Sequence, residues 1–232
     1  MSIAKITQEI IHCERCPRLR SYCKKVAREK RKSFADEVYW GKPVPAFGDP
    51  KARVLIVGLA PAAHGGNRTG RMFTGDNSGL WLYRALHKAG FANEIGLKQQ
   101  PEIANIHDRL QLKDVMITAI ARCAPPENKP TPTEIENCSE YLVREIEALK
   151  NLKVLVVLGQ LALKGLWKVL PDELKVSRTI PKFSHGEMVK LRDGRVIVCS
   201  YHPSQQNTFT KKLTEPMFDQ VFGCVKQLLL KS

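Results

Sequence analysis

The spacing of apolar and polar positions divides most of this chain into alternating strands and helices. Short apolar, β-branched runs, which are typical of buried strands, occupy residues 53–58, 115–121, 153–158 and 196–200. Apolar residues at intervals of three to four, which indicate helices, occupy residues 80–89, 132–149, 160–169 and 215–230. The alternation predicts an α/β fold in which a central, mostly parallel four-stranded sheet is flanked by helices.

The first part of the chain has a different pattern. Ile3, Ile6, Ile10 and Ile11 predict a helix, and a pair of cysteines follows it. We interpret residues 1–45 as a helical lobe and residues 46–232 as the α/β core, with the Pro- and Gly-rich segment 41–50 as the link. A chain of 232 residues fits one domain of ordinary size, so we expect residues 1–232 to form a single domain.

The charge and composition of the chain indicate which kinds of molecule the protein binds. Lys and Arg exceed Asp and Glu by 37 − 23 = 14, and basic residues are concentrated in segment 15–32. Such a surface favours a phosphate-rich polymer, because each phosphate contact releases counterions. No apolar run is long enough to cross a membrane, and the N-terminus lacks the features of a secretory signal. We therefore expect a cytoplasmic monomer that binds nucleic acid and no membrane.

The loop at residues 58–76 is the strongest functional signal. It follows a predicted strand and combines five glycines and a proline with polar side chains, among them His64, Arg68 and Asp76, and with the flat ring of Phe73. Its glycine spacing matches neither a nucleoside-triphosphate loop nor a dinucleotide-binding turn. A glycine-rich backbone can approach a ligand closely, so we predict an active-site loop.

A second polar loop, from Ser200 to Asn207, follows the fourth predicted strand. Loops at the carboxyl ends of parallel strands converge on one crevice. We therefore expect His202 to meet a ligand that is held by the first loop.

Four cysteines are candidates for binding a metal centre. Cys13 and Cys16 form one close pair, and Cys123 and Cys138 flank a proline-rich loop that returns into a predicted helix. Four thiolates suit zinc and a four-iron, four-sulfur cluster equally well. Structural zinc sites usually pair two close-spaced motifs, whereas only one pair here is close, so the pattern favours iron and sulfur. Cys23 follows closely and is the alternative ligand if this grouping is wrong.

Together these segments resemble family 5 of the uracil-DNA glycosylase superfamily. The resemblance rests on three stretches, Gly58 to Asp76, Arg122 to Pro132 and His202 to Asn207, together with Cys13 and Cys16. It covers nearly the whole chain in the expected order. It implies a parallel four-stranded sheet between helices, a four-iron, four-sulfur cluster on the four cysteines, and removal of deaminated bases from DNA.

The chain departs from the sister family 4 at two positions. Family 4 has an acidic residue where this chain has Leu59, so a carboxylate that activates water must come from elsewhere, and Asp76 is the nearest candidate. Family 4 has a base-reading asparagine where this chain has Ala119. The loss of that asparagine should relax selectivity, so that hypoxanthine and xanthine are removed as well as uracil.

Breaking an N-glycosidic bond leaves a cationic sugar and an anionic base, and each fragment needs stabilisation. We assign His202 to the departing base and Asp76 to the water and the sugar, with Asn207 in support of the water. The alternative for Asp76 is a helix cap.

The base itself must rotate out of the duplex before the bond can be reached. We assign Phe73 to stacking on the base, and Ala60, Ala119 and Asn128 to the rest of the base pocket. Neither loop has a lysine placed for a Schiff base, so we expect hydrolysis alone. The competing hypothesis is a non-catalytic nucleic-acid-binding protein with a structural metal site, which needs no convergent acid, histidine and amide.

Overall fold

The fold was analysed in a computed structural model that describes residues 2–93 and 108–231. Six strands form one sheet in this part of the chain. They are β1 (Phe47–Gly48), β2 (Val54–Gly58), β3 (Val115–Ala119), β4 (Val154–Leu158), β5 (Met188–Lys190) and β6 (Val196–Ser200). The four predicted strands are therefore confirmed as β2, β3, β4 and β6, and all four run parallel.

The prediction of a four-stranded sheet was wrong at both edges. The strand order is β1-β3-β2-β4-β6-β5, and both edge strands are antiparallel to their neighbours. Strand β1 lies inside the segment that we interpreted as a linker, where Phe47 pairs with Ile117. Strands of two and three residues are too short to produce a periodic pattern, which explains why the sequence did not reveal them.

The α-helices in the described part of the chain are α1 (Ile3–Ile11), α2 (Pro17–Glu29), α3 (Gly66–Thr69), α4 (Asn77–Lys88), α5 (Pro132–Ala148), α6 (Gln160–Val169), α7 (Gln205–Phe209) and α8 (Glu215–Leu230). Five of these helices, α1, α4, α5, α6 and α8, match the predicted segments, and the three others, α2, α3 and α7, were not predicted. Helix α5 begins with a capping box, in which the Thr131 side chain accepts from the Glu134 N–H and the Glu134 carboxylate accepts from the Thr131 N–H.

Alternate residues of the central strands enter two separate cores. Ile56, Val156 and Val198 face the layer that contains α4 and α8. Their neighbours Leu55 and Ile197 face the layer that contains α5 and α6. Both faces of β2, β3 and β4 are buried, as expected of a parallel sheet between helices, and only the strand ends are left for a ligand.

The N-terminal lobe packs on α5. Ile6 and Ile10 of α1 bury Tyr141. At the start of α2, Arg18 forms a 2.7 Å ion pair with Glu134, so part of the basic segment 15–32 is used within the protein. The lobe therefore lies against the helix that carries Cys138. None of the helices in the described part of the chain is long and apolar enough to span a membrane.

Candidate active site

The two predicted loops leave the same edge of the sheet. Gly58, at the end of β2, is in register with Ala119 at the end of β3. Ser200, at the end of β6, is in register with Leu158 at the end of β4. The loop that begins at Gly58 and the loop that follows Ser200 therefore emerge at the same edge of the sheet, on either side of β4, as the parallel arrangement predicted.

The rings of Phe73 and His202 join the two loops. Their centroids are 5.7 Å apart, and the ring planes are tilted by 32°. The Phe73 ring lies against Gly58, where a Cβ would come within 2.9 Å of the ring carbon Cε2. Phe73 also has a left-handed backbone, with φ of +52°. A non-glycine residue rarely adopts that conformation unless its surroundings impose it, and here it directs an aromatic ring to the sheet edge.

His202 is a neutral imidazole at physiological pH, because burial lowers its pKa to about 4. Its backbone is held from within its own loop: Asn207 Nδ2 donates to the His202 carbonyl oxygen at 2.8 Å. A neutral ring keeps one N–H, which can donate a hydrogen bond to an anion.

Asp76 has the cap geometry that we named as its alternative role. It is the N-cap of α4, and its Oδ1 accepts from the Gly79 N–H at 2.9 Å. Its other oxygen, Oδ2, lies against Gly65, where a Cβ would be only 2.5 Å away. Burial raises the pKa of this carboxyl group above its ordinary value, although hydrogen bonds from Gly79 and Ser78 and the charge of Arg68 partly oppose that rise. The Asp76 Oδ1 atom therefore caps α4, whereas the Oδ2 atom lies at the glycine-rich loop.

The base-pocket candidates are less tightly grouped. Ala119 is buried in the core, at the end of β3. Ala60 is half-buried, directly after β2. Asn128 is exposed in a short 3-10 turn (Pro126–Asn128), where it and Glu127 both have positive φ. The geometry thus brings Phe73 and His202 together but gives no contact between Asn128 and either ring.

The four cysteines surround the junction of α2 with α5. Cys16 packs with Cys123, and Asn137 Nδ2 donates to the Cys16 sulfur at 3.5 Å, from the turn of α5 that also carries Cys138. Burial raises the pKa of Cys16 and raises that of Cys138 to about 12. Cys123 and Cys13 raise the pKa of Cys16 further, and Cys123 and Cys16 raise that of Cys138.

Within residues 2–93 and 108–231, no three His, Cys, Asp or Glu side chains are grouped closely enough to hold a metal ion. The chemistry of the donor set still suits a cluster. Burial raises the pKa of Cys138, and the hydrogen bond with Cys23 together with burial raises that of Cys123, but the nearby charges of Arg122 and Arg20 oppose these shifts and favour the thiolates. Cys23 forms a hydrogen bond with Cys123 that raises the pKa of Cys123, which keeps it as the alternative ligand.

Sequence reasoning missed the buried arginines. Arg122 forms an ion pair with Glu145 at 2.7 Å, and both side chains are almost completely buried. Arg71 forms an ion pair with Asp108 at 2.5 Å. Arg68 and Arg71 lie among the glycines of an enclosed loop, and a buried arginine needs partners for its charge. Their position in this loop was the signal that could have predicted their burial.

Comparison with known proteins identifies the family. The family model described as the uracil DNA glycosylase superfamily matches residues 45–224. The type-5 uracil-DNA glycosylase of Mycobacterium leprae is 45% identical over 231 residues, which cover 98% of this chain and 96% of that protein. That of Thermus thermophilus is 44% identical over 221 residues, or 95% of each chain.

A more distant relative lies in the sister group. The type-4 uracil-DNA glycosylase of Archaeoglobus fulgidus is 31% identical over 167 residues, which cover 69% of this chain and 70% of that protein. The type-5 relatives are both more similar and more completely covered. The chain therefore belongs to the uracil-DNA glycosylase superfamily, in its type-5 group, and is a DNA N-glycosylase.

Proposed function

We propose that this enzyme removes uracil, hypoxanthine and xanthine from DNA by hydrolysing the N-glycosidic bond, which leaves an abasic site. The observation that carries the proposal is the meeting of Phe73 with a neutral His202 at the carboxyl edge of the sheet. A flat apolar ring beside a hydrogen-bond donor suits a nucleobase that leaves as an anion.

Phe73 stacks on the extruded base, and His202 donates its N–H to the base as negative charge develops. Because the imidazole is neutral, it stabilises the anion by a hydrogen bond and is not itself the proton source. One such donor, in a preorganised site, is worth roughly 3 kcal/mol in the transition state. We assign the backbone amides after Ala60 as further donors to the departing base.

Asp76 acts on the other fragment. Its Oδ2, which lies at Gly65, accepts from the attacking water and favours the cationic sugar, while its Oδ1 remains the cap of α4. Capping supports this role, because it fixes the carboxylate on a rigid helix. Asn207 holds the His202 backbone, and its amide oxygen is our candidate for a second acceptor of the water.

Substrate breadth follows from Ala119 and Asn128. A methyl group at position 119 offers no hydrogen bond that a base must match, so purines and pyrimidines are both accepted. Asn128, on its exposed turn, contacts the base once DNA is bound. The absence of a lysine nucleophile in the two loops supports hydrolysis without strand cleavage.

DNA is the partner, in double- or single-stranded form, and one protomer suffices. The formal net charge of +14 favours the phosphate backbone. Phe209, at the end of α7, is 77% exposed and follows the His202 loop, with exposed Lys211 and Lys212 beside it. These residues form an apolar and basic rim for a strand whose base occupies the site.

We further propose that Cys13, Cys16, Cys123 and Cys138 hold a four-iron, four-sulfur cluster. The support is the donor set itself: four thiols about one junction, with Arg20 and Arg122 as adjacent cations. When bound, the cluster ties α2 to α5 as a covalent brace, and base release needs no electron from it.

A strand-cleavage assay tests the function. Purified protein is incubated with duplexes that each contain one uracil, hypoxanthine or xanthine, and the products are heated in alkali to break the strand at abasic sites. The proposal predicts cleavage in all three duplexes after alkali and intact strands without it. A nucleic-acid-binding protein without catalytic activity would bind these duplexes and leave every base in place.

A further inference from the structure

A buried arginine connects the N-terminal lobe to the active-site loop. Arg68 lies in α3, and only 2% of its side chain is exposed. Its guanidinium is stacked 3.9 Å above the ring centroid of Phe34 and forms an ion pair with Glu37. Phe34 and Glu37 belong to the lobe, whereas Arg68 belongs to the loop that begins at Gly58.

The same guanidinium also holds the loop from within. Arg68 Nε donates to the His64 carbonyl oxygen at 2.9 Å, and Nη2 donates to the Gly75 carbonyl oxygen at 3.2 Å. Gly75 directly precedes Asp76. Arg68 thus connects a support in the lobe with the peptide group that leads into the carboxylate.

Backbone contacts reinforce this connection. The Trp40 N–H donates to the Arg68 carbonyl oxygen at 2.8 Å, and the Gly41 N–H donates to the Asn67 carbonyl oxygen at 3.0 Å. Buried Asn67 also donates from Nδ2 to the carbonyl oxygen of Cys23 in α2. The lobe therefore holds α3 through two of its backbone carbonyl groups and through the Asn67 side chain, which limits how far the loop can shift.

The charge of Arg68 also reaches Asp76. It lowers the pKa of that carboxyl group and so opposes the effect of burial. Tyr83 of α4 has Asp76 and the Arg71–Asp108 ion pair among its charged neighbours, and it stays neutral because burial raises its pKa to about 12. Within the described residues, Arg68 is the cation that acts on Asp76.

We propose that Arg68 is a positioning residue for base excision: supported by Phe34 and Glu37, it fixes the Gly75–Asp76 backbone and so holds the Asp76 carboxylate in place. This inference rests on the proposed function, because it assumes that Asp76 acts on the water. According to this inference, the N-terminal lobe contributes to catalysis through Arg68 and does not need to contact DNA directly. Only the planar fork of arginine can stack on Phe34 while it bonds Glu37 and two carbonyl groups.

The test is the pH dependence of single-turnover uracil release by the holoenzyme and three variants. Arg68→Met removes the charge and the fork, so the acid limb should move to higher pH. Its plateau rate should fall roughly ten- to a hundredfold, because the carboxylate is displaced. Arg68→Lys keeps the charge, so its plateau rate should fall while its acid limb stays near that of the wild type.

Glu37→Gln should have the opposite effect on the acid limb. Glu37 is 38% exposed, so this variant should fold even if Arg68→Met does not. It leaves the Arg68 charge unopposed, and the midpoint should lie at or below the wild-type value. Arg195→Met is a matched control: Arg195 pairs with Asp193 at the far end of the sheet, and its loss should move neither rate nor midpoint.

Each outcome bears on the proposal. If the variants lower only the melting temperature and keep the wild-type rate and midpoint, Arg68 is merely structural and the proposal is overturned. An upward shift in Glu37→Gln would also overturn it. A wild-type enzyme that releases no base would refute the proposed function as well, whereas full activity in Arg68→Met would refute this inference alone.

Discussion

The Asp76 carboxylate lies directly against the backbone of Gly65: a Cβ at position 65 would be 2.5 Å from Asp76 Oδ2. Both residues belong to the loop that begins at Gly58, and the other oxygen of Asp76 caps α4. The cap fixes the carboxylate from one side, so it cannot retreat from an added methyl group without breaking its bond to Gly79. The space at Gly65 is therefore part of the site.

Gly65→Ala should lower the single-turnover rate of uracil release at least roughly tenfold, because the methyl group displaces the oxygen that positions water. Affinity for an abasic duplex should change little. Gly223→Ala is the matched control, since a Cβ at Gly223, on α8, meets nothing within 4 Å. Equal rates in the two variants would contradict the assignment of Oδ2 to the water.

The ionisation of His202 provides an independent check. Burial lowers its pKa to about 4, so the ring should stay neutral until the pH falls far below the ordinary histidine range. The unfolded chain takes up this proton near pH 6.5, so this group reduces stability as the pH falls from there toward 4. Nuclear magnetic resonance titration of the imidazole, assigned with His202→Ala, should give a midpoint near 4. A midpoint above 6 would remove the basis for a neutral donor.

Substrate breadth should depend on Ala119. The wild-type enzyme should release hypoxanthine and xanthine as well as uracil, and Ala119→Asn should favour uracil, because the new amide demands matching hydrogen bonds. Competition between duplexes that carry the different bases measures this directly. Ala119 is buried, so melting temperatures must be compared as well. Strict selectivity for uracil in the wild type would show that another residue, with Asn128 the first candidate, restores the selection.

The metal assignment predicts a brown protein with about four irons per chain. Cys138→Ser should lose iron and lower the melting temperature, because the brace between α2 and α5 is lost. Cys224→Ser should do neither, since Cys224 lies on α8, away from that junction. One zinc per chain in a colourless protein prepared without air would contradict the assignment. Iron loss in Cys23→Ser but not in Cys138→Ser would indicate the alternative ligand set.

The sequence predicted the centre of the fold better than its edges. Strands β2, β4 and β6 were predictable because each contains a short apolar, β-branched run that is buried on both faces. Strand β1 was not, because Phe47 and Gly48 pair with β3 within a segment rich in proline and glycine. Pairing of so short a strand depends on a partner far along the chain, and a local sequence pattern cannot predict that partner.

The candidate site was also predictable only in part from the sequence. The sequence marked Phe73, Asp76 and His202 as candidates because each lies in a polar loop that follows a strand, and the loop of Phe73 and Asp76 is also rich in glycine. The ion pair of Arg68 with Glu37 spans 31 positions, and the stack of Arg68 on Phe34 depends on the docking of the lobe. Such partners become evident only once tertiary packing is known.

The most direct test of the central claim is single-turnover release of uracil by the wild-type enzyme and by His202→Ala, with affinity for an abasic duplex measured in parallel. The loss of one preorganised hydrogen bond to the departing base should slow release about a hundredfold or more, roughly 3 kcal/mol, with binding nearly unchanged. Asp76→Ala, assayed beside it, should also slow release. Wild-type rates in His202→Ala, or a loss that appears only in binding, would contradict the account.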